Sequence, residues 1–305
     1  MKRLLVLVTC FSFSAPLWAA KPASEPHIPL ATNTINGSPL TIVIGDDTSM
    51  QVFNSSVIGT GQFYPPGTGP GQTTSAGISA FIGGVTYGPR NTDFTPVSMT
   101  AVTGTGTALD PFTVVIVADA GVTGLRLTET LTYVNGAAAF AISLAFSNTT
   151  DVALTWDTFI GADLYLAGND DGFPFATPGA AAGSLAADQS CVTQLQYTIA
   201  FLGTTPADRY SAKYYGDVWN EITAGQLSNT VDAGCLDDGA ALEWSGRTLA
   251  PLATLTINTG VSFTGQLIPV ASAAVPALSP KALAALVLLL AAVGYVLARK
   301  ASPGA

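Results

Sequence analysis

Histidine and charge are both scarce in this chain of 305 residues: His27 is the only histidine, and 10% of residues are charged. One histidine gives a Ser-His-Asp triad, a Cys-His pair or a His-ligated zinc almost nothing to be built from, and His27 itself reads as a solvated residue of an N-terminal leader. Basic residues are the rarer charge, 11 Lys and Arg against 20 Asp and Glu, and five of them (Lys2, Arg3, Lys281, Arg299, Lys300) lie at the ends of the chain. Residues 21–280 therefore hold six basic and 20 acidic side chains, a net charge of −14. A field of that sign repels phosphate backbones and excludes nucleic acid as a partner, whereas metal cations, cationic surfaces and neutral sugars remain. A phosphate cradle is missing too, because Gly59-x-Gly61 and Gly104-x-Gly106 lie between strand signals with no helix after them.

Long apolar runs are confined to the two ends. Lys2 and Arg3 precede Leu4 to Val8, and the stretch closes on Leu17-Trp18-Ala19-Ala20. A basic start, a short apolar run and small residues at the exit predict a secretory signal peptide over residues 1–20, cleaved after Ala19 or Ala20. Leu7-Val8-Thr9-Cys10 offers the alternative of a lipoprotein box, against which Thr9 stands where a small Gly or Ala belongs. At the other end, Ala282 to Ala298 are 17 uncharged residues followed at once by Arg299-Lys300. That predicts a short transmembrane helix with a cytoplasmic basic stop. The expected organisation is signal peptide 1–20, leader 21–35, exported module 36–266, tether and motif 267–279, and membrane segment with basic tail 280–305.

Cysteine is nearly as rare as histidine. Cys10 leaves with the signal peptide, and Cys191 and Cys235 remain as an even pair in an oxidising compartment. They are expected to form a disulfide; the alternative is a free or metal-binding pair.

Between the ends, period-two patterning dominates. Leu40–Ile44, Gln51–Phe53, Phe112–Val117, Leu125–Tyr133, Phe140–Phe146, Gln194–Phe201 and Leu252–Ile257 all read as strands bounded by Gly, Asn, Asp and Pro. In Leu125–Tyr133 the leucines, Glu129 and Tyr133 share one face, while Arg126, Thr128, Thr130 and Thr132 take the other. Amphipathic helix is limited to a turn or two over Val218–Gln226, and Gly59–Gly77 and Ala176–Ala187 read as long loops. The fold class predicted is all-β, an antiparallel β-sandwich, plus one C-terminal transmembrane helix.

Acidic clusters are the candidates for chemistry. Asp163, Asn169, Asp170 and Asp171 fall within nine residues, and oxygen ligands on a Gly-bearing loop suit Ca²⁺ in an extracellular setting. The same residue types also make an ordinary tight turn, and Asp46-Asp47 and Asp237-Asp238 carry the same ambiguity. Glu129, Asp157, Asp163 and Glu243 supply carboxylates for glycoside hydrolysis, but their spacing aims no two at one cleft. Trp156, Tyr214, Tyr215, Trp219 and Trp244 either stack on sugars or fill the core, and core is the expectation in a sandwich. No catalytic residue is assigned, and no cofactor other than calcium is considered.

Two resemblances add to this. Val275-Pro276-Ala277-Leu278-Ser279, the span after it and the Arg299-Lys300 end resemble an IPTLxxWG-type (IPTL-CTERM) C-terminal sorting signal, a relative of the PEP-CTERM system; Val replaces Ile, Ala replaces Thr, and Lys281 stands where Trp is usual. The resemblance implies an exosortase-like membrane transpeptidase as partner, an inner-membrane intermediate, and delivery to the surface of a Gram-negative bacterium. A plain C-terminal anchor is the alternative. The stretch from Gly104-Thr-Gly-Thr107 and Asp110-Pro111-Phe112 to Asp238-Gly-Ala-Ala-Leu-Glu-Trp244, Leu249-Ala-Pro251 and Phe263 resembles supersandwich-like modules of large bacterial exported proteins. It covers about half of the chain and carries no catalytic assignment. The function expected is a non-catalytic surface or matrix protein, with a carbohydrate-binding or carbohydrate-processing module as the alternative and extracellular polysaccharide as its partner.

Overall fold

A computed structural model describes residues 28–263, except 58, 60, 68–71 and 75. His27, the signal peptide, the motif Val275–Ser279, the membrane segment and Arg299-Lys300 lie outside the described residues. Among the described residues no helix is long and apolar enough to cross a membrane.

The chain opens with β1 (Thr32–Asn36), β2 (Leu40–Gly45), β3 (Ser49–Asn54), β4 (Gly61–Phe63), β5 (Ala76–Ile82) and β6 (Val85–Tyr87). It continues through β7 (Thr95–Met99), β8 (Phe112–Asp119), β9 (Leu125–Tyr133), β10 (Ala139–Asn148), β11 (Leu154–Leu166) and β12 (Asp171–Thr177). Then come β13 (Ala181–Ala187), β14 (Gln194–Leu202), β15 (Arg209–Tyr214), α1 (Tyr215–Ala224), β16 (Thr230–Val231), β17 (Leu236–Leu249) and β18 (Thr254–Ser262). One layer runs β1-β2-β3, then β4 and β5 end to end, then β11-β17-β15-β16. The other runs β7-β8-β9-β10-β18-β14-β13-β12. Every pairing is antiparallel except β15 with β16. β17 joins the layers: Leu236 and Asp237 pair with β12, and the strand from Asp238 onward pairs with β15 and β11.

The layers meet over apolar faces. β9 alternates strictly between buried and half-buried positions, with Leu125, Leu127, Glu129, Leu131 and Tyr133 inside. Rings cross the interface: Phe63 of β4 stacks on Phe201 of β14 at 5.9 Å, and Phe146 of β10 meets Trp156 of β11 at 5.2 Å. A second, smaller core lies on the outer face of β11 and β17, where Tyr215, Val218, Trp219 and Ile222 of α1 cover Phe159 and Ala241. These two strands are therefore buried on both faces, and their sequences lose the alternation that a half-exposed strand shows. Gly161 has no side chain because α1 packs there; a Cβ would lie 2.8 Å from Ile222 Cδ1. The helix stops at Gly225, which takes the left-handed conformation (φ 80°) that glycine adopts without steric cost.

Four sequence expectations are corrected. Residues 21–35, read as a leader, end in strand: β1 begins at Thr32 and pairs with β2. Ala176–Ala187, read as a loop, contains β13, whose small side chains let it sit close to its neighbours. Gly59–Gly77 holds β4 and the start of β5, and the helix begins three residues earlier than Val218 and lasts 10 residues. The disulfide is present: Cys191 and Cys235 are bonded, with their Cα atoms 5.7 Å apart.

Candidate acidic sites

Two places collect carboxylates, and both arise where strands end. The first lies where β17 passes from one layer to the other. Asp163 near the end of β11 is opposite Gly239, and Asp237 on β17 is opposite Asp171, so the two ladders bring residues far apart in sequence to one spot. Carboxylate oxygens of Asp163, Asp170 and Asp237 all lie within 4.8 Å of one another. Cys235, two residues before Asp237, ties this strand to Cys191. Burial pushes the neighbouring Asp238 carboxyl well above the usual range, a Ser184 hydrogen bond opposes this, and the charges of Asp163, Asp237 and Asp170 add to it.

Of the four residues read from sequence as a calcium set, Asp163 and Asp170 are members of this grouping. Asn169 and Asp171 serve the turn instead. The Asn169 Nδ2 donates to Asp188 O at 3.0 Å, and its Oδ1 accepts from the Asp171 backbone N–H at 3.2 Å. Asp237 is the member the local spacing missed, because only the β12–β17 ladder brings it there. Three carboxylates are hard oxygen donors of the kind Ca²⁺ takes, though they are fewer than the six to eight oxygens of a full shell.

The second place is the turn from β2 to β3. The Asp46 backbone N–H donates to Ala31 O at 3.0 Å, and Thr48 N–H donates to Gly45 O at 3.2 Å. Thr48 takes φ 73°, a left-handed conformation that is rare for a β-branched residue, and its Oγ1 donates to Ile78 O at 3.1 Å. Asp47 Oδ1 accepts from Ser49 N–H at 3.1 Å and from the Ser49 hydroxyl, which lies 2.6 Å from Thr73 Oγ1. Asp46 and Asp47 are 7% and 6% exposed. Burial pushes the Asp46 carboxyl up, the Ala31 backbone hydrogen bond pulls it down, and the Asp47 charge pushes it up again. Beside this turn is a cavity of about 240 Å³, walled by Asp46, Asp47 and Asp93 with Pro29, Phe94 and Pro96.

The carboxylates considered for glycosidic chemistry are dispersed. Glu129 is fully buried between the layers; Glu243 accepts from Leu227 N–H at 2.6 Å; Asp157 accepts from Gly246 N–H at 2.6 Å. None of Glu129, Asp157, Asp163 and Glu243 lines this cavity or a second, apolar one beside Phe140 and Leu202. Trp156, Trp219, Trp244 and Tyr215 are buried, and the Trp244 Nε1–H donates to Thr205 O at 2.9 Å; Tyr214 is 42% exposed.

Residues 273–300 match the IPTL-CTERM motif. No curated protein matches the chain. Solved structures similar to it include a heparan sulfate lyase HepC mutant from Pedobacter heparinus, at 12% identity and TM-score 0.44, covering 80% of this chain and 37% of that one. A bacterial glucoamylase complexed with acarbose is similar at 12% identity and TM-score 0.45, over 81% of this chain and 34% of that one. A galactose mutarotase related enzyme from Lactobacillus acidophilus is similar at 10% identity and TM-score 0.41, over 76% of this chain and 97% of that one. The chain thus spans about a third of the lyase and the glucoamylase and nearly all of the mutarotase-related enzyme.

Proposed function

We propose that this chain is an exported, non-catalytic surface or extracellular-matrix protein, delivered by processing at its C-terminal sorting segment. The observation that carries the reading is the IPTL-CTERM match over residues 273–300. In this reading residues 1–20 direct export and are removed, an exosortase-type enzyme acts near Val275–Ser279, and the span up to Arg299-Lys300 is a transient handle in the inner membrane. Two features of the module support a structural role. The described tryptophans fill the core, so no indole is offered as a stacking platform. A disulfide closes 44 residues of the module, as suits a protein that works in an oxidising compartment.

Intact-mass analysis of the protein from its native cells tests the reading. The expected mass is that of a chain beginning after Ala19 or Ala20 and ending near Val275. A chain retained through Ala305 in the membrane fraction would overturn processing and leave a plain C-terminal anchor.

A further inference from the structure

We propose that one end of the sandwich is a lipid-docking surface, where three aliphatic turn tips enter the apolar phase of a zwitterionic bilayer. Residues 120–124 join β8 to β9, residues 149–153 join β10 to β11, and residues 250–253 join β17 to β18. Pairing places all three connections at the same end. Asp119 is opposite Arg126, Ser147 is opposite both Arg126 and Thr254, and Leu154 is opposite Leu249. Each connection carries one aliphatic side chain that stands clear of the module: Val122 is 103% exposed, Leu252 79% and Val152 58%. Single exposed apolar residues are ordinary, whereas three on adjoining turns make a patch.

The tips are held in place. Asn148, buried at the end of β10, ties the connections together. Its Nδ2 donates to Val152 O at 2.6 Å and to Ala250 O at 3.1 Å, and its backbone N–H donates to Ala253 O at 3.0 Å. The Thr149 N–H and Oγ1 both donate to Gly124 O, at 2.8 and 3.0 Å. Leu252 takes φ 58°, a left-handed conformation that is an outlier for a bulky residue. A strained leucine left in solvent adds nothing to the fold, which points to something it meets outside.

Lipid is favoured over a protein partner by two features. The carbonyls of Ala120, Gly124, Val152 and Ala250 each accept two hydrogen bonds from within the module. These turns can leave water without stranding those acceptors, as hydrocarbon demands and a wet protein interface does not. The three connections also contain no Trp, Tyr or Arg, the residues that anchor protein interfaces. A fluid acyl phase closes around separate aliphatic tips, whereas a folded partner would need a pocket for each. Charge selects the lipid. The connections hold one charged residue, Asp151, while residues 21–280 carry a net charge of −14, so anionic headgroups repel the module and zwitterionic ones do not. β18 starts beside the tips and ends at Ser262, so the chain leaves for its C-terminal segment from the opposite end. Only export is needed from the reading above, since an exported module meets a lipid surface whether or not its tail is removed.

The test uses protein purified from its own cells, with a polarity-sensitive dye on the thiol of a Leu252→Cys variant, mixed with phosphatidylcholine vesicles. The emission is expected to shift to the blue and iodide quenching to fall. The same dye on a Val134→Cys variant, at the far end of β9, is expected to report water throughout, which separates the tips from any insertion of the tail. Adding Val122→Ser and Val152→Ser to the Leu252→Cys variant is expected to raise the lipid concentration at half-shift about tenfold. Leu252→Asn is expected to keep or raise the urea midpoint, because asparagine tolerates the left-handed conformation; a lower midpoint would make the leucine a packing residue and overturn the proposal. A Leu252 dye that stays in water, an equal shift at Val134, or a shift untouched by the valine changes would also overturn it. So would a shift that needs phosphatidylglycerol, or one that occurs without vesicles, which would mark a second copy of the chain as the partner.

Discussion

Glu129 is a carboxyl placed where only a neutral group is comfortable. It shares the buried face of β9 with Leu127 and Leu131, neither of its oxygens has a hydrogen-bond partner, and burial, with a further push from the Asp47 charge, raises it to about 8. An acid that titrates near 4.5 unfolded and near 8 folded binds more protons in the folded state throughout that interval. Its contribution is therefore fully present below about pH 4.5 and is lost as pH rises through about 8. Glu243, raised to about 7 mainly by burial, acts in the same direction. Urea unfolding is expected to show stability falling between about pH 5 and pH 9 by an amount on the order of a few kcal/mol, with a shallower fall in Glu129→Gln. Parallel pH profiles for the two proteins would refute this. The placement of Glu129 on the leucine face was legible in the alternation of Leu125–Tyr133. Its encounter with Asp47 was not, since that residue arrives from a turn in the opposite layer.

Among the elements, legibility followed exposure. Strands with one face toward solvent, such as β9 and β10, alternate in sequence and in burial alike. β11 and β17, the two longest, show no such alternation because α1 covers one face and the sandwich core the other. β13 fails for a different reason. Ala181-Ala-Gly-Ser-Leu-Ala-Ala187 has too little apolar bulk to mark a strand, yet small residues are what its position demands. A Cβ on Gly183 would strike the Ile199 carbonyl oxygen of β14 and stand 2.7 Å from Ala200 Cα, both of them backbone that cannot rotate away. Gly183→Ala is therefore expected to cost about 1–3 kcal/mol in urea unfolding, although alanine is the better strand residue by propensity. A neutral or stabilising effect would show that the two strands can separate at no cost.

At the scale of the whole molecule, the Cys191–Cys235 bond links the turn after β13 to the start of β17, the strand that joins the layers. Closing a loop of 44 residues removes denatured-state entropy worth about 4 kcal/mol in the chain-entropy account. Replacing both cysteines by serine is expected to lower unfolding free energy by roughly 2–4 kcal/mol, read from the denaturant midpoint. Thiol titration of the denatured protein should find the two cysteines only after reduction; equal counts with and without reductant would contradict the bond. The cysteine pair, the acidic balance, the half-exposed strands and the sorting segment could all be read from the chain itself, because each rests on residue identity or on a period of two between neighbours. Which acids meet was decided only in three dimensions. Asp237 joins Asp163 and Asp170, and Asp93 joins Asp46 and Asp47, through ladders and turns that bring together residues dozens of positions apart. Local sequence has no term for such distances, and antiparallel pairing with burial on two faces sets them.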